Sequence, residues 1–223
     1  PGSGVIGSAI GMTTLVSNPL YENSGLLVPP YIVVGKNDTL DADACVQRLG
    51  LPLVVKPVAS GSSVGISIVK SKDLLKEAVD KAFEQDSMVL IEVHIDGIEL
   101  TGGVIGNDQL EALPIIEIIP SESFDFFDYE AKYTAGATNE ICPARINDVM
   151  TQKAQEIAKT AHKALFCKGY SRTDVILKDQ EMYVLETNTI PGMTATSLLP
   201  LAAGKAGIPF SQLLDRLIEM SIE

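Results

Sequence analysis

Two runs, SRTDVILK (171–178) and EMYVLETN (181–188), restrict this chain more than any other stretch. Both are rich in Val, Ile, Leu, Thr and Tyr, and the turn between them lies near Lys178-Asp179-Gln180. Strand-forming runs joined by so short a turn pair as an antiparallel hairpin. Side chains two apart on a strand point the same way. Arg172 and Asp174 therefore share a face, as do Glu186 and Asn188, and the hairpin is expected to present all four together. A solvated polar face would carry similar residues. Two or three hard oxygen donors also suit Mg²⁺, which keeps waters and takes its remaining ligands from phosphates. An arginine among them suits a developing phosphoryl charge. The strand then gives way to a Pro191-Gly192 turn.

The surroundings of the hairpin set the fold class. VPPYIVV and LPLVVKP read as short strands set off by proline, and MVLIEVHI, ELTGGVIG and LEALPIIEIIP as three strands of an antiparallel sheet. SKDLLKEAVDKAFEQ has a helical apolar stripe with Ser71 as its N-cap. DVMTQKAQEIAKTAHKALFC is a second helix, capped near Asp148 or Thr151, and PFSQLLDRLIEMSI a last one, capped by Ser211. Near the start, GSAIGMTTLVSNPLYENSG is a helical pattern that Pro19 should kink or divide. Strands and helices mix without strict β-α alternation, which predicts α+β with more than one sheet.

Composition narrows the function. Net charge is −12, from 29 acidic and 17 basic residues, which disfavours nucleic acid and anionic membranes as partners. Apolar runs such as LPLVV are far shorter than the ~20 residues of a membrane span. No secretory leader is recognisable at the start. Cys45, Cys142 and Cys167 are widely spaced, with only His94 and His162 to accompany them, so a zinc site is disfavoured and a reducing cytoplasm expected.

Three further segments carry chemistry. In VVKPVASGSSVG, Lys56 follows apolar strand residues and precedes a small-residue loop whose N–H groups and hydroxyls suit a phosphate. No Gly-Lys-Ser/Thr closes that loop, so it is not a P-loop, and a Ser/Gly surface loop is the plainer reading. A lysine buried there needs an anionic partner. In LIEVHIDGIELTG, Glu92 and Glu99 bracket a turn at Asp96-Gly97; taken alone, they read best as solvated carboxylates of a hairpin. FDFFDYEAKY packs aromatics, acids and Lys132 into a segment without a period, as loops covering a site often do.

Together VKP…GSSVG, LIE…G.E.T, FDYEAKY, ICPA, CKGYSRTDV and LETNTIPGMTATSLLP, in this order and spacing, resemble the D-alanine–D-alanine ligases of the ATP-grasp superfamily. The resemblance implies two α+β subdomains, 1–91 and 92–223, clasping ATP between antiparallel sheets. It implies an ATP-dependent carboxylate–amine ligase that joins two D-alanines through an acyl phosphate, for peptidoglycan precursor synthesis. Asp174, Glu186 and Asn188 would hold two Mg²⁺ ions, with Mn²⁺ as a substitute. Lys56 and Lys132 would meet phosphates, and Ser62, Ser63, Val64 and Gly65 would cover the transferred one. Glu92 and Ile95 would lie at the adenine hinge, and Glu99 on the ribose. Arg172 and the Gly192 backbone would stabilise the tetrahedral centre, Ser197 and Leu198 would meet the second D-alanine, and Tyr133 marks the dipeptide-forming loop.

The chain departs from the family in three places. The family carries a further N-terminal domain, and this sequence begins where that domain should end. Asn18 stands where the family has a lysine on ATP phosphate, and Val93 where the hinge has a lysine. Each lost charge-assisted contact weakens binding by about 1.5–3 kcal/mol. The competing functions are a ligase for another D-amino acid pair and a nucleotide-binding module without turnover. The apolar stripe of the last helix is read either as core or as the surface of a homodimer.

Overall fold

The β-branched residues between prolines build the smaller of two sheets. The computed structural model describes residues 2–59, 65–120 and 138–222. β1 (Tyr31–Gly35), β2 (Leu53–Pro57), β3 (Ser67–Val69) and β4 (Met88–Val93) form an antiparallel sheet ordered β1-β4-β2-β3. One face of it packs Leu53, Val55, Val89 and Ile91 against α3 (Ala42–Leu49) and α4 (Leu75–Ala82). The alternate residues Val54, Lys56, Leu90 and Glu92 necessarily share the other face, because Val54 pairs with Glu92 and Lys56 with Leu90.

The larger sheet contains β5 (Ile98–Gly106), β6 (Glu111–Ala112), β7 (Ile116–Pro120), β8 (Thr138–Ile141), β9 (Gly169–Lys178) and β10 (Glu181–Asn188). Its order is β10-β9-β5-β7-β8, with β6 paired to β5. On one face Leu100, Val175, Met182 and Val184 meet α5 (Asp148–Ala164) and the residues around α2 (Thr14–Asn23). On the other, Ile105, Ile116, Ile118 and Tyr170 are capped by α6 (Leu198–Lys205) and α7 (Phe210–Met220). Those two helices cover only part of that face, and the polar residues of β5, β9 and β10 lie on the same face beyond them.

Several sequence expectations change here. Met88–Val93 belongs to the small sheet, so Asp96-Gly97 is a crossing between sheets and not a hairpin turn. Local alternation cannot say which sheet a strand joins. β4 runs unbroken from Met88 to Val93, and Tyr21, Leu26 and Val28 pack into the core of the large sheet. The opening helical pattern breaks after α1 (Val5–Gly11), at Met12-Thr13, and Pro19 sits inside α2. Asn147 caps α5 by accepting from the Met150 N–H at 2.9 Å, so neither Asp148 nor Thr151 is the cap. Pro209 precedes α7, with Ser211 inside it, and Ser71 makes no capping hydrogen bond.

Candidate active site

The hairpin turn is formed by Asp179 and Gln180, both at positive φ (49° and 69°), the two-residue loop whose twist suits paired strands. Lys178 then opposes Glu181. Continued without interruption, that ladder would set Leu185 opposite Asp174 and Glu186 opposite Thr173, on the core face. Instead the register shifts between Val184 and Glu186, so that Glu186 opposes Asp174 and Asn188 opposes Arg172. A one-residue bulge reverses which way every later side chain points. The shared face expected from the sequence is real, and the extra residue in β10 creates it.

β5 completes this face. Thr101 opposes Asp174 and Gly103 opposes Arg172. The buried Asp174 carboxylate accepts from Arg172 Nε at 3.1 Å and Arg172 Nη2 at 3.0 Å, from Thr101 Oγ1, and from Asn188 Nδ2 at 3.5 Å. Burial, the largest single influence, pulls the Arg172 pKa down, but the charge and hydrogen bonds of Asp174 together with the charges of Glu186 and Glu99 outweigh it, and the net direction is upward. Glu99, two residues before Thr101, lies on the same face. Thr101 was not singled out from the sequence, although its spacing from Glu99 placed it here.

A second group gathers beside Arg172. A Cβ on Gly103 would come within 2.7 Å of Leu199 Cδ1, so the bare backbone lets the start of α6 approach β5 next to Arg172. A Cβ on Gly192 would stand 2.7 Å from Ser197 Oγ. Ser197 precedes α6 without capping it. Its hydroxyl turns back to accept from the Thr194 N–H at 3.0 Å and to meet Thr194 Oγ1 at 2.8 Å. The N–H groups of the first turn of α6 thus have no side-chain cap from Ser197. Gly192, Ser197 and Leu198 are brought together at the Arg172 end of the site.

The small sheet holds the third group. Lys56 Nζ lies 2.7 Å from Glu92 Oε1, with side-chain exposures of 14% and 6%. Glu92 is therefore not a solvated hairpin carboxylate; it is the anionic partner that a buried lysine demands. Ile95 is buried just beyond, in the crossing to β5. There the Val93 N–H donates to Pro30 O at 2.9 Å and the His94 N–H to Pro52 O at 3.1 Å. Gly65, at φ 79°, closes against Pro57, where a Cβ would lie 3.0 Å from Pro57 Cγ. At the other stem of that loop the Ala59 N–H donates to Asp86 Oδ2 at 2.8 Å. Ser62, Ser63, Val64, Lys132 and Tyr133 lie outside the described residues.

α2 joins the groups. The Thr14 N–H donates to Val58 O at the exit of β2, and Tyr21 OH donates to Thr187 Oγ1 on β10 at 2.8 Å. Asn18, between them in sequence, is buried.

A family model described as D-ala D-ala ligase C-terminus matches residues 20–219. The chain belongs to the D-alanine–D-alanine ligase family. A D-alanine–D-alanine ligase of Syntrophobacter fumaroxidans is 58% identical over 222 residues, covering 100% of this chain and 71% of that protein. That of Desulfotalea psychrophila is 46% identical over 224 residues, covering 100% and 70%. Among solved structures, the Bacillus anthracis D-alanine–D-alanine ligase complexed with ATP superposes with a TM-score of 0.85 at 36% identity, covering 99% of this chain and 69% of that one. The VanG D-Ala:D-Ser ligase of Enterococcus faecalis gives 0.87 at 36% identity, covering 98% and 64%. Family membership also accounts for the fold: mixed α/β with antiparallel sheets, in the ATP-grasp arrangement. Among the described residues no helix is long and apolar enough to cross a membrane.

Proposed function

We propose that this chain is the ATP-binding and catalytic part of a D-alanine–D-alanine ligase. The observation that carries this reading is the convergence of Asp174, Glu186, Asn188 and Arg172 on one face through the β10 bulge. In the reaction, a carboxylate oxygen of the first D-alanine attacks the γ-phosphorus of ATP, and the bond to ADP breaks. The amine of the second D-alanine then attacks the acyl carbon, a C–N bond forms, and phosphate leaves as the amine loses its proton.

The donor set fits magnesium: two carboxylates and an amide oxygen on adjacent strands, all hard oxygen ligands. Asp174, Glu186 and Asn188 would hold two Mg²⁺ ions, with Mn²⁺ as a substitute. Bound there, the ions would neutralise phosphate charge and orient the nucleotide. Arg172 uses two N–H donors on Asp174, and its fork has others for the tetrahedral centre. The Gly192 N–H shares that role. Ser197 and the open first turn of α6 at Leu198 would receive the carboxylate of the second D-alanine. Lys56 gives one donor to Glu92 and has others for a phosphate. Glu92 and Ile95 would flank adenine, and Glu99 the ribose. Ser62, Ser63, Val64, Gly65 and Lys132 would contact the phosphates, with Tyr133 at the D-alanine site.

In this reading the nucleotide lies between the two sheets. The relatives named for D-alanine alone, at 58% and 46% identity, favour D-alanine in both positions. The likeness to a D-Ala:D-Ser ligase means the fold itself does not choose the second amino acid. ATP consumption favours the cytoplasm, the net charge of −12 disfavours nucleic acid and anionic membranes as partners, and Phe210, Leu214 and Ile218, exposed on α7, offer a surface for a homodimer. The test is release of phosphate from Mg-ATP on adding D-alanine, with the dipeptide detected by mass. Nucleotide binding without D-alanine-dependent release would sink turnover by this chain and favour a nucleotide-binding module. Release with other D-amino acids but not D-alanine would redirect the substrate.

A further inference from the structure

The site depends on a register that the turn does not impose. A hairpin closed by Asp179-Gln180 and paired at Lys178–Glu181 zips most simply without a bulge, and it would then turn Glu186 and Asn188 toward α2 and α5. The core face of β9 does not forbid this, because it carries a row of hydroxyls. Ser171 is engaged by His162 Nδ1 at 2.8 Å, and Thr173 follows two residues on. In the unbulged ladder Glu186 would oppose Thr173 and Asn188 would oppose Ser171, polar group against polar group. Something must select the bulged arrangement, in which Thr187 occupies the core face.

That selection is visible behind the site. Thr187, between Glu186 and Asn188, turns its hydroxyl into the core, 3.0 Å from Thr173 Oγ1. Tyr21 OH donates to the same Thr187 oxygen at 2.8 Å, across 166 residues of sequence. All three side chains are buried. Burial raises the Tyr21 pKa well above its ordinary value, more than the Thr187 hydrogen bond lowers it, so the phenol stays a neutral donor. A slip of one residue would replace the Thr187 hydroxyl in this chain by the longer Glu186 side chain, breaking both of these hydrogen bonds and carrying a carboxylate into the core, a costly state. Just before the bulge, the Val184 N–H donates to Leu27 O at 2.8 Å, which fixes the outer edge of β10.

We propose that Tyr21, acting through Thr187 and Thr173, is a positioning residue that holds β10 in its bulged register and so keeps Glu186 and Asn188 on the face of Asp174. The inference rests on reading those three as metal ligands. Its test uses the full 223-residue chain with Mn²⁺ as probe, ATP present and D-alanine omitted. Bound Mn²⁺ is read by electron paramagnetic resonance, and amide hydrogen exchange is followed separately in metal-free protein. Tyr21→Phe removes one oxygen atom. Losing one buried hydrogen bond should weaken Mn²⁺ binding about threefold to tenfold and speed exchange at 186–188 by a similar factor. Thr187→Ser should keep both values near wild type and Thr187→Val should lose both. This pair decides the matter should Tyr21→Phe not fold. Unchanged Mn²⁺ affinity and exchange in Tyr21→Phe would overturn the proposal. So would faster exchange spread equally through β2 and α4, which is general loosening. Absence of Mn²⁺ binding in wild type would instead sink the metal-site reading, and the exchange measurement would then decide the register on its own.

Discussion

Replacing Lys56 by methionine should reveal how the small sheet tolerates a charge pair on its inner face. The two side chains are 14% and 6% exposed, and Nζ lies 2.7 Å from Oε1. At an effective dielectric constant of 20 the Coulomb attraction is about 6 kcal/mol, most of which offsets the desolvation of two ions. The intact pair is thus close to neutral for stability. Lys56→Met removes the attraction and leaves the desolvation of Glu92, and breaking a buried pair in this way costs about 3–5 kcal/mol. For a chain of this length that is a fall of roughly 6–20 °C in Tm. Lys56→Met/Glu92→Leu, which removes both charges, should recover to within about 1 kcal/mol of wild type. The assay is urea unfolding without nucleotide, for wild type, both single variants and the double. A single variant that loses less than about 1 kcal/mol, or a double variant no better than the single, would refute the view that Glu92 is held by Lys56.

Two further outcomes test other parts of the site and its support. Gly192→Ala puts a methyl group 2.7 Å from Ser197 Oγ and should raise KM for the second D-alanine about tenfold or more, with KM for ATP and Tm little changed; equal effects on both substrates would argue against Ser197 as a substrate contact. His162, held neutral mainly by burial with its pKa lowered to about 4, should make wild type lose up to about 3 kcal/mol of stability between pH 6.5 and 4, where only the unfolded chain takes the proton. His162→Gln should remove that part of the acid sensitivity, and parallel melting profiles for the two proteins would contradict it.

What the sequence disclosed follows the range of the forces involved. Strand identity and the Asp179-Gln180 turn depend on neighbouring residues, and they were legible. So were Asp174 and Arg172, two apart on one strand, and Thr101 could have been found by the same spacing from Glu99. Glu92 was misread because its partner Lys56 is 36 residues away on a strand whose sheet could not be inferred from alternation. Helix caps failed where several polar residues competed, as at Asn147, Asp148 and Thr151. The hairpin is the most instructive case, because the shared face was expected for an incomplete reason. Spacing within each strand puts Glu186 with Asn188 and Arg172 with Asp174, but it does not say that the two pairs point the same way. A two-residue turn closed at Lys178–Glu181 says the opposite. The register shift decides, and the groups placed to hold it are Tyr21 in a helix near the start of the chain and the Leu27 carbonyl at the edge. The face that carries the proposed chemistry is therefore fixed by a contact across 166 residues, and no window short enough to define a strand contains it.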